Sequence, residues 1–315
     1  MSDLPLDQVR TLLAVVDEGS FDAAAAALHV TPSAVSQRVK ALEQRTGRVL
    51  VQRSKPVRLT ESGAVLVRFA RQLTRLEADT RAELGLAEAG APTTLPIAVN
   101  ADSLATWFRD ALAEMAAWDG TAVKLRVEDQ AYSQELLRRG DVLAAVTSDP
   151  TAVQGCSVDP LGALRYLPAA TPAVADRWRR GDSLEWAAMP VVVFNDRDDL
   201  QYELLRRHGV EHGPPVVHQV PSTADFYAAV RIGLGWGMLP EPQARADLAS
   251  GELVRLSADV IDIPLHWQRW RLDSPKLAAL TAAVRAAARH LLPSAAKTSA
   301  AKTSDGEASD GGKGH

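Results

Sequence analysis

Residues 20–46, SFDAAAAALHVTPSAVSQRVKALEQRT, decide the fold of the N-terminal part of the chain. They predict two short helices around a tight turn. Ser20 is placed as an N-cap, because a serine hydroxyl accepts a hydrogen bond from an orphan N–H group at a helix start. Residues 23–28 are nearly all alanine, the best helix former, and such small side chains let a second helix approach closely. His29 and Val30 make the turn. Thr31 and Pro32 restart a helix as N-cap and first-turn proline. Val35, Val39 and Leu42 then fall at i, i+4 and i+7 and share one face. Ser33, Ser36, Gln37 and Lys40 fall on the other. Gly47 stands where a left-handed residue ends a helix.

That second face is the informative one. Hydroxyls, an amide and a cation can meet base edges and phosphates in a major groove. Between residues 31 and 60 stand Arg38, Lys40, Arg45, Arg48, Arg53, Lys55 and Arg58 against one acid, Glu43. The whole chain carries a net charge of −4, so this segment is a local basic patch, the electrostatic footprint of DNA binding. A solvated helical hairpin inside an ordinary bundle is the other reading of the same pattern.

Working outward, residues 6–17 place Val9, Leu12, Leu13 and Val16 on one helical face, which predicts a helix packed under the pair. Residues 49–52 and 58–60 read as short strands around Pro56. This hairpin is a wing, with Arg53 and Lys55 at its tip near phosphates or the minor groove. Residues 61–89 read as one long helix. Its Leu66, Phe69, Leu73, Leu76, Thr80 and Leu84 approximate a 3-4 repeat, a stripe that needs a partner helix or its own domain to cover it.

The stretch LDQVRTLLAVVDEGSFDAAAAALHVTPSAVSQRVKALEQRTGRVLVQRSKPVRLTESG (6–63) resembles the winged helix-turn-helix of LysR-type transcriptional regulators. GSF opens the second helix, TPSAVSQRVKALE is the recognition helix, and GRVLVQR and LTESG follow. The likeness runs to about Pro293 and is finest with the branch that senses basic amino acids and switches on a lysine or arginine exporter. NADSLATWF (100–108), RRGDVLAAVT (138–147), GLGWGMLPE (233–241) and HWQRWRL (266–272) carry it. The resemblance implies a fold class of α/β with an all-α-type winged helix-turn-helix N-terminal domain and a two-lobed periplasmic-binding-protein-like effector domain. It divides the chain into residues 1–60 for DNA, 61–89 as linker and dimerisation helix, and 92–293 for effector. The first lobe takes about 92–162 and 266–293, the second about 163–265. By position in the family's recognition helix and wing, Pro32, Ser33, Ser36 and Gln37 contact or align base edges. Thr31, Lys40, Arg53 and Lys55 hold the DNA backbone. The implied partners are double-stranded DNA and further copies of the chain, as a homodimer or homotetramer; RNA polymerase enters only through this resemblance.

Composition agrees with a soluble protein: 315 residues, 46% apolar and 23% charged. No run of about 18 apolar residues predicts a membrane span. MSDLPLDQVR lacks the basic-then-apolar form of a signal peptide. A single cysteine, Cys156, excludes an internal disulfide and suits a reducing cytoplasm. Residues 90–94 read as a linker. Beyond it, strands at 95–100, 122–127 and 143–147 alternate with helices at 102–118 and 133–139, the pattern of a parallel α/β sheet. Further strands are expected at 161–170, 191–195, 216–220, 237–239 and 265–271, with helices at 222–232 and 276–292. The chain should cross between lobes near 160–165 and 263–268. Residues 294–315 are low-complexity and should be a disordered tail.

No catalytic constellation, cofactor motif or metal set stands out. His208 and His212 have i, i+4 spacing, but Gly209, Gly213, Pro214 and Pro215 place them in a loop. GLGWG follows a helix instead of a strand and is no dinucleotide fingerprint. Asp198 and Asp199 read as solvated loop acids. Ligands of α/β sheets sit beyond the carboxyl ends of strands, near helix N-termini. That rule selects Asn100, Asp102 and Ser103, then Glu128 and Asp129, then Thr147, and on the second lobe Ser222 and Thr223. Asp102 could equally be an N-cap. Hydroxyls with several acids fit a zwitterion carrying an extra positive charge, and the resemblance points the same way, to L-lysine, L-arginine or L-histidine. The rival readings are a regulator of this type with another effector, an architectural DNA-binding protein with a vestigial effector half, and an enzyme of the α/β half.

Overall fold

Ser20 and Thr31 cap their helices as their chemistry dictates: Ala23 N–H donates to Ser20 Oγ at 3.1 Å and Ala34 N–H to Thr31 Oγ1 at 3.2 Å. The computed structural model describes residues 4–52, 54–86, 92–127 and 130–293. Arg53, Glu128, Asp129 and the tail 294–315 lie outside the described residues.

The N-terminal unit holds α1 (Leu6–Asp17), α2 (Phe21–Ala27) and α3 (Pro32–Thr46), then β1 (Val51–Gln52), β2 (Arg58–Leu59) and α4 (Glu61–Glu83). Gly47 ends α3 at φ 64°. Val9, Leu12, Val15, Val35, Val39, Leu42, Leu50, Leu66 and Val67 form one buried core. β1 and β2 pair antiparallel, and Val57 N–H reaches back to Gly19 O at 3.0 Å, which ties the wing to the turn before α2. Thr60 caps α4, donating to Val49 O at 2.7 Å while accepting from Gly63 N–H at 3.1 Å. A side chain at position 63 would stand 2.0 Å from Leu50 O, so only glycine lets α4 start against the wing.

The stripe expected along α4 divides. Leu66 is buried in the N-terminal core, whereas Phe69, Leu76 and Leu84 remain exposed, as does Val65 outside the stripe. Further along, α4 leans on the C-terminal half of its own chain. Arg71 donates to Arg139 O at 3.0 Å, forms an ion pair with Asp141, and reaches Asp17 at the end of α1 at 2.7 Å. Arg75 pairs with Asp79 at 2.8 Å and donates to Ser274 Oγ at 3.2 Å. Gly140, at φ 75°, sits where a side chain would meet Trp270 and approach the Arg68 backbone to 3.1 Å.

The C-terminal half opens with β3 (Thr93–Val99), α5 (Ala101–Ala105), α6 (Phe108–Met115), β4 (Thr121–Val127), α7 (Gln130–Arg139) and β5 (Ala144–Thr147). The single helix expected at 102–118 is two. Thr106 leaves the helical region at φ −118°, ψ −106°, and its hydroxyl donates to Asp102 O at 2.6 Å. β6 (Cys156–Ala170) leads to α8 (Pro172–Arg177), the hairpin β7 (Arg179–Arg180) and β8 (Ser183–Leu184), β9 (Val191–Val193) and α9 (Leu200–Arg207). β10 (Val217–Gln219), α10 (Thr223–Arg231), β11 (Gly237–Pro240), α11 (Glu241–Ser250), β12 (Val254–Arg255), β13 (Ile261–Trp270) and α12 (Pro275–Ala287) complete it.

The main sheet is mixed, not parallel. Its order is β11-β6-β13-β5-β3-β4, with β12 also on β6. Only β3 with β4 and β3 with β5 run parallel; β5, β13, β6 and β11 alternate antiparallel. The long strands β6 and β13 pair from Cys156 with Trp270 to Tyr166 with Ile261, and the register shifts between Leu265 and His266. They run through both lobes and make one continuous sheet of them. A second, two-stranded parallel sheet, β9 with β10, belongs to the second lobe.

HWQRW (266–270) is scaffold. Fully buried Gln268 donates to Asp149 O at 3.1 Å and Thr151 O at 2.9 Å and accepts from Val153 N–H at 3.1 Å. Trp267 Nε1–H donates to Thr281 Oγ1 at 3.2 Å and pins α12 to β13. Cys156 is buried, which pushes its thiol up to about 11 and keeps it protonated.

Candidate functional site

Two regions gather the candidate residues. On α3, the apolar face of Val35, Val39 and Leu42 is buried, which forces the opposite face outward. Thr31, Pro32, Ser33, Gln37 and Lys40 are exposed, and Ser36 is half-buried beside them. Lys55 is exposed at the wing. Thr31 is spoken for locally: its hydroxyl is the helix cap, while its backbone carbonyl accepts from Val35 N–H at 3.2 Å. A helix presented this way, beside a basic wing, has the geometry of a major-groove reader.

The second region is a cleft of about 710 Å³ between the lobes. Asn100, Ala101 and Asp102 line it from the first lobe. Tyr166, Met238 and Ile263 line it from the crossing and second-lobe strands, and Asp198, Asp199, Glu203, Thr223 and Phe226 from the second lobe. The lobes touch across it, α10 against α5. Tyr166 is buried, and its hydroxyl donates to Asp102 Oδ2 at 2.7 Å. Burial holds the Asp102 carboxyl above the usual carboxylate range despite that hydrogen bond, and nearby Asp198 pushes it further. Burial and the neighbouring Asp102 hold the Tyr166 phenol well above its usual value, so Tyr166 remains a donor.

Asp102 is not the cap of α5. That position belongs to Asn100, which leaves the Asp102 carboxyl to face Tyr166. With only five residues, α5 has little dipole to offer an anion. Asp198 is not the solvated acid its loop setting implies. Phe194 N–H donates to its Oδ2 at 2.8 Å and Leu200 N–H to its Oδ1 at 3.4 Å. Burial raises its pKa against the lowering effect of those donors. Asp199 is exposed and pairs with Arg206 at 2.8 Å, as a surface acid should. Glu203 pairs with Arg207. Arg197 leans over the Tyr132 ring at 4.9 Å and donates to its hydroxyl at 3.2 Å, from the second lobe to α7 of the first.

Asn100, Asp102 and Thr223 therefore meet in the cleft, and buried Asn100 Oδ1 and Thr223 Oγ1 have no protein partner there. Ser103 is fully buried, does not line the cleft, and also leaves its Oγ unpartnered. Thr147 and Ser222 are not brought in. Thr147 is buried and accepts from Asp149 N–H at 3.1 Å, while Ser222 caps α10 by accepting from Asp225 N–H at 3.4 Å. Tyr166 and Asp198 were missed, because nothing local in sequence marks either: one is a core-like aromatic on a long strand, the other one of two adjacent loop acids. Among the described residues no cluster has the makings of a metal site, and no helix is long and apolar enough to cross a membrane.

Residues 6–64 match the model for the bacterial regulatory helix-turn-helix protein, lysR family, and residues 88–296 the model for the LysR substrate binding domain. The chain belongs to the LysR family. It is 50% identical over 278 residues to the lysine export transcriptional regulatory protein LysG of Corynebacterium glutamicum, covering 88% of this chain and 95% of that protein. The structure of full-length LysG from that organism with bound effector Arg superposes with a TM-score of 0.81 at 48% identity, over 92% of this chain and 99% of the other. The crystal structure of ArgP from Mycobacterium tuberculosis gives 0.85 at 46% identity, over 91% and 98%. A LysR-family chain with this helix and this cleft is a DNA-binding transcriptional regulator with a small-molecule effector domain.

Proposed function

We propose that this regulator responds to a basic amino acid, L-lysine, L-arginine or L-histidine, bound in the inter-lobe cleft, and activates the gene of a basic-amino-acid exporter. The observation that carries the reading is the cleft's balance of charge. Asp102 and Asp198 line it without a cationic partner among the described residues, beside the orphan acceptor of Asn100. A ligand with a spare cation neutralises these half-buried groups, whereas a neutral ligand leaves them unpaired. The names of relatives at about half identity, a lysine export regulator and ArgP, support the same class of effector and target.

The DNA half acts through Pro32, Ser33, Ser36 and Gln37 at base edges, with Thr31, Lys40, Arg53 and Lys55 at the backbone. Exposed Val65, Phe69 and Leu76 on α4, with Leu84 at its C-terminal cap, give a second copy a surface to cover, and two recognition helices then read a partly palindromic site. The protein works in the cytoplasm as a homodimer or homotetramer and is not an enzyme. Effector binding favours one arrangement of the lobes, repacks the oligomer, and alters the spacing or bend of the bound DNA. It does so only through different affinity for the two arrangements.

A thermal-shift panel of the twenty amino acids on the full chain tests the effector. A ligand at about 100 times its dissociation constant adds about 2.7 kcal/mol to the native state, enough to see. Stabilisation by basic amino acids alone is expected. Stabilisation by acidic or neutral ones alone would replace the effector class, and no stabilisation by any would favour an architectural DNA-binding protein.

A further inference from the structure

The acids of the cleft are not equivalent. Asp199 and Glu203 already pair with Arg206 and Arg207 on α9. Arg197 is engaged with Tyr132. Asp102 and Asp198 are left without a counter-ion among the described residues, and they come from opposite lobes: Asp102 from α5, Asp198 from the loop between β9 and α9. We propose that Asp198 and Asp102 together receive the side-chain cation of the effector, one carboxylate from each lobe, and that Tyr166 is the residue that positions Asp102. This assignment rests on the basic-amino-acid reading above.

Three observations converge on it. Both carboxyls are fixed before any ligand arrives, Asp102 by the Tyr166 hydroxyl at 2.7 Å and Asp198 by two backbone N–H groups. Groups held in place by such partners need little reordering on binding. Second, both line the same cleft, one from each lobe. Two half-buried carboxylates facing one cleft repel when ionised, and a guanidinium or ammonium group between them removes that repulsion. Burial raises the pKa of both, which is the expected condition of acids waiting for a counter-ion. Third, Tyr166 is rooted in the crossing strand β6, where it faces Pro240 of β11 and Ile261 of β13. Its hydroxyl therefore ties a first-lobe acid to the strand that runs into the second lobe. A cation shared by both acids binds best when the lobes are closed, which links recognition to the conformational change.

The assignment predicts which part of the ligand the protein reads. L-Citrulline has the shape of L-arginine with an uncharged ureido group. Titration calorimetry of L-arginine and L-citrulline into the full-length wild type, Asp198→Asn and Tyr166→Phe measures the preference for charge. Glu252→Gln, an exposed second-lobe acid outside the cleft, controls for general charge loss. Asp198→Asn is expected to weaken L-arginine roughly 10- to 100-fold while citrulline changes little, so the ratio collapses. Tyr166→Phe, which removes only the hydroxyl, is expected to lower the ratio about 3- to 10-fold. Glu252→Gln should leave it unchanged. If the wild type prefers L-arginine and Asp198→Asn keeps that preference, the carboxylate pair is not the cation receptor. If the wild type binds no basic amino acid, the functional reading falls and the assignment with it. Should Asp198→Asn fail to fold, Asp102→Asn carries the same comparison with the same deciding outcomes.

Discussion

Thr31, Pro32, Ser33, Gln37 and Lys40 occupy a single run of ten residues and one exposed helix face. Asn100, Asp102, Tyr166, Asp198 and Thr223 are spread over more than 120 residues and meet only because β6 and β13 run through both lobes. The first surface meets a partner that supplies its own dense charge, so side chains in water suffice. On the proposed reading the second recognises a small ligand with partly buried groups whose charges are costly until the ligand arrives. A substitution on α3 should therefore act locally on DNA affinity, whereas one in the cleft should act through protonation and lobe closure.

The largest expected effect breaks the DNA half without touching the cleft. Leu42 is fully buried in the N-terminal core. Leu42→Ala should cost about 2–5 kcal/mol of that unit's stability. DNA binding should be lost at moderate temperature while calorimetric binding of the effector persists. Equal loss of both would show that the two regions fold and function as one.

Gln37→Ala comes next. Loss of one good base-edge contact should cost about 1–3 kcal/mol of sequence discrimination. Lys40→Ala should instead weaken all sequences alike and flatten the salt dependence by about one unit of slope. Electrophoretic or anisotropy titrations at several salt concentrations separate the two, and identical behaviour of both variants would contradict the docking.

The cleft makes its own prediction in pH. Burial raises both Asp102 and Asp198, so the folded chain holds their protons more tightly than the unfolded chain does. Their contribution to stability is full below the ordinary carboxylate range and is lost as pH rises through the raised values. A bound cation favours the ionised forms, so effector affinity should fall as pH drops through that same raised range. The limiting slope is about tenfold per pH unit for each proton released. The groups facing the pair are neutral Tyr166, the Asp199–Arg206 and Glu203–Arg207 pairs, and Arg197. Calorimetry in two buffers of different ionisation enthalpy should register proton release; an affinity flat with pH would argue that the pair stays ionised throughout.

The smallest effect concerns the join between the two regions. Arg71 on α4 touches Asp17 of α1 and Asp141 beyond α7. These groups are partly solvated, so Arg71→Ala should cost only about 0.5–1 kcal/mol of overall stability. Hydrogen exchange should nevertheless rise at residues 139–141 and at the end of α1. Unchanged exchange at both would make the contact incidental.

The unequal legibility of the two regions follows from the same contrast. Helix caps, alanine runs and i, i+4 spacing are local, so α1, α2 and α3 could be read directly, whereas Thr60, expected in a strand, proves to be the cap of α4. The break at Thr106 could not, since nothing in ATWF announces a residue outside the helical region. Alternating strands and helices point to a parallel sheet, but the antiparallel passage of β6 and β13 depends on pairing between residues about a hundred apart. The cleft suffered most. Asn100, Asp102 and Thr223 follow from the rule that sites lie at strand ends and helix starts. Thr147 and Ser222 satisfy the same rule and spend their hydroxyls on local turns. Asp198 looks solvated until Phe194 and Leu200 fold around it. Tyr166 has no sequence mark at all, because its role depends on which acid it meets across the fold.

The central claim is that occupancy of the cleft changes how the two recognition helices sit on DNA. Footprinting of the full chain on its own upstream DNA, with and without saturating L-arginine or L-lysine, tests it most directly, with Asp198→Asn alongside. In the wild type a basic amino acid is expected to shift the protected boundaries or the DNA bend, and Asp198→Asn is expected to bind the same DNA but give no shift at the same ligand concentration. A wild-type footprint identical in extent and strength with every basic amino acid would contradict it.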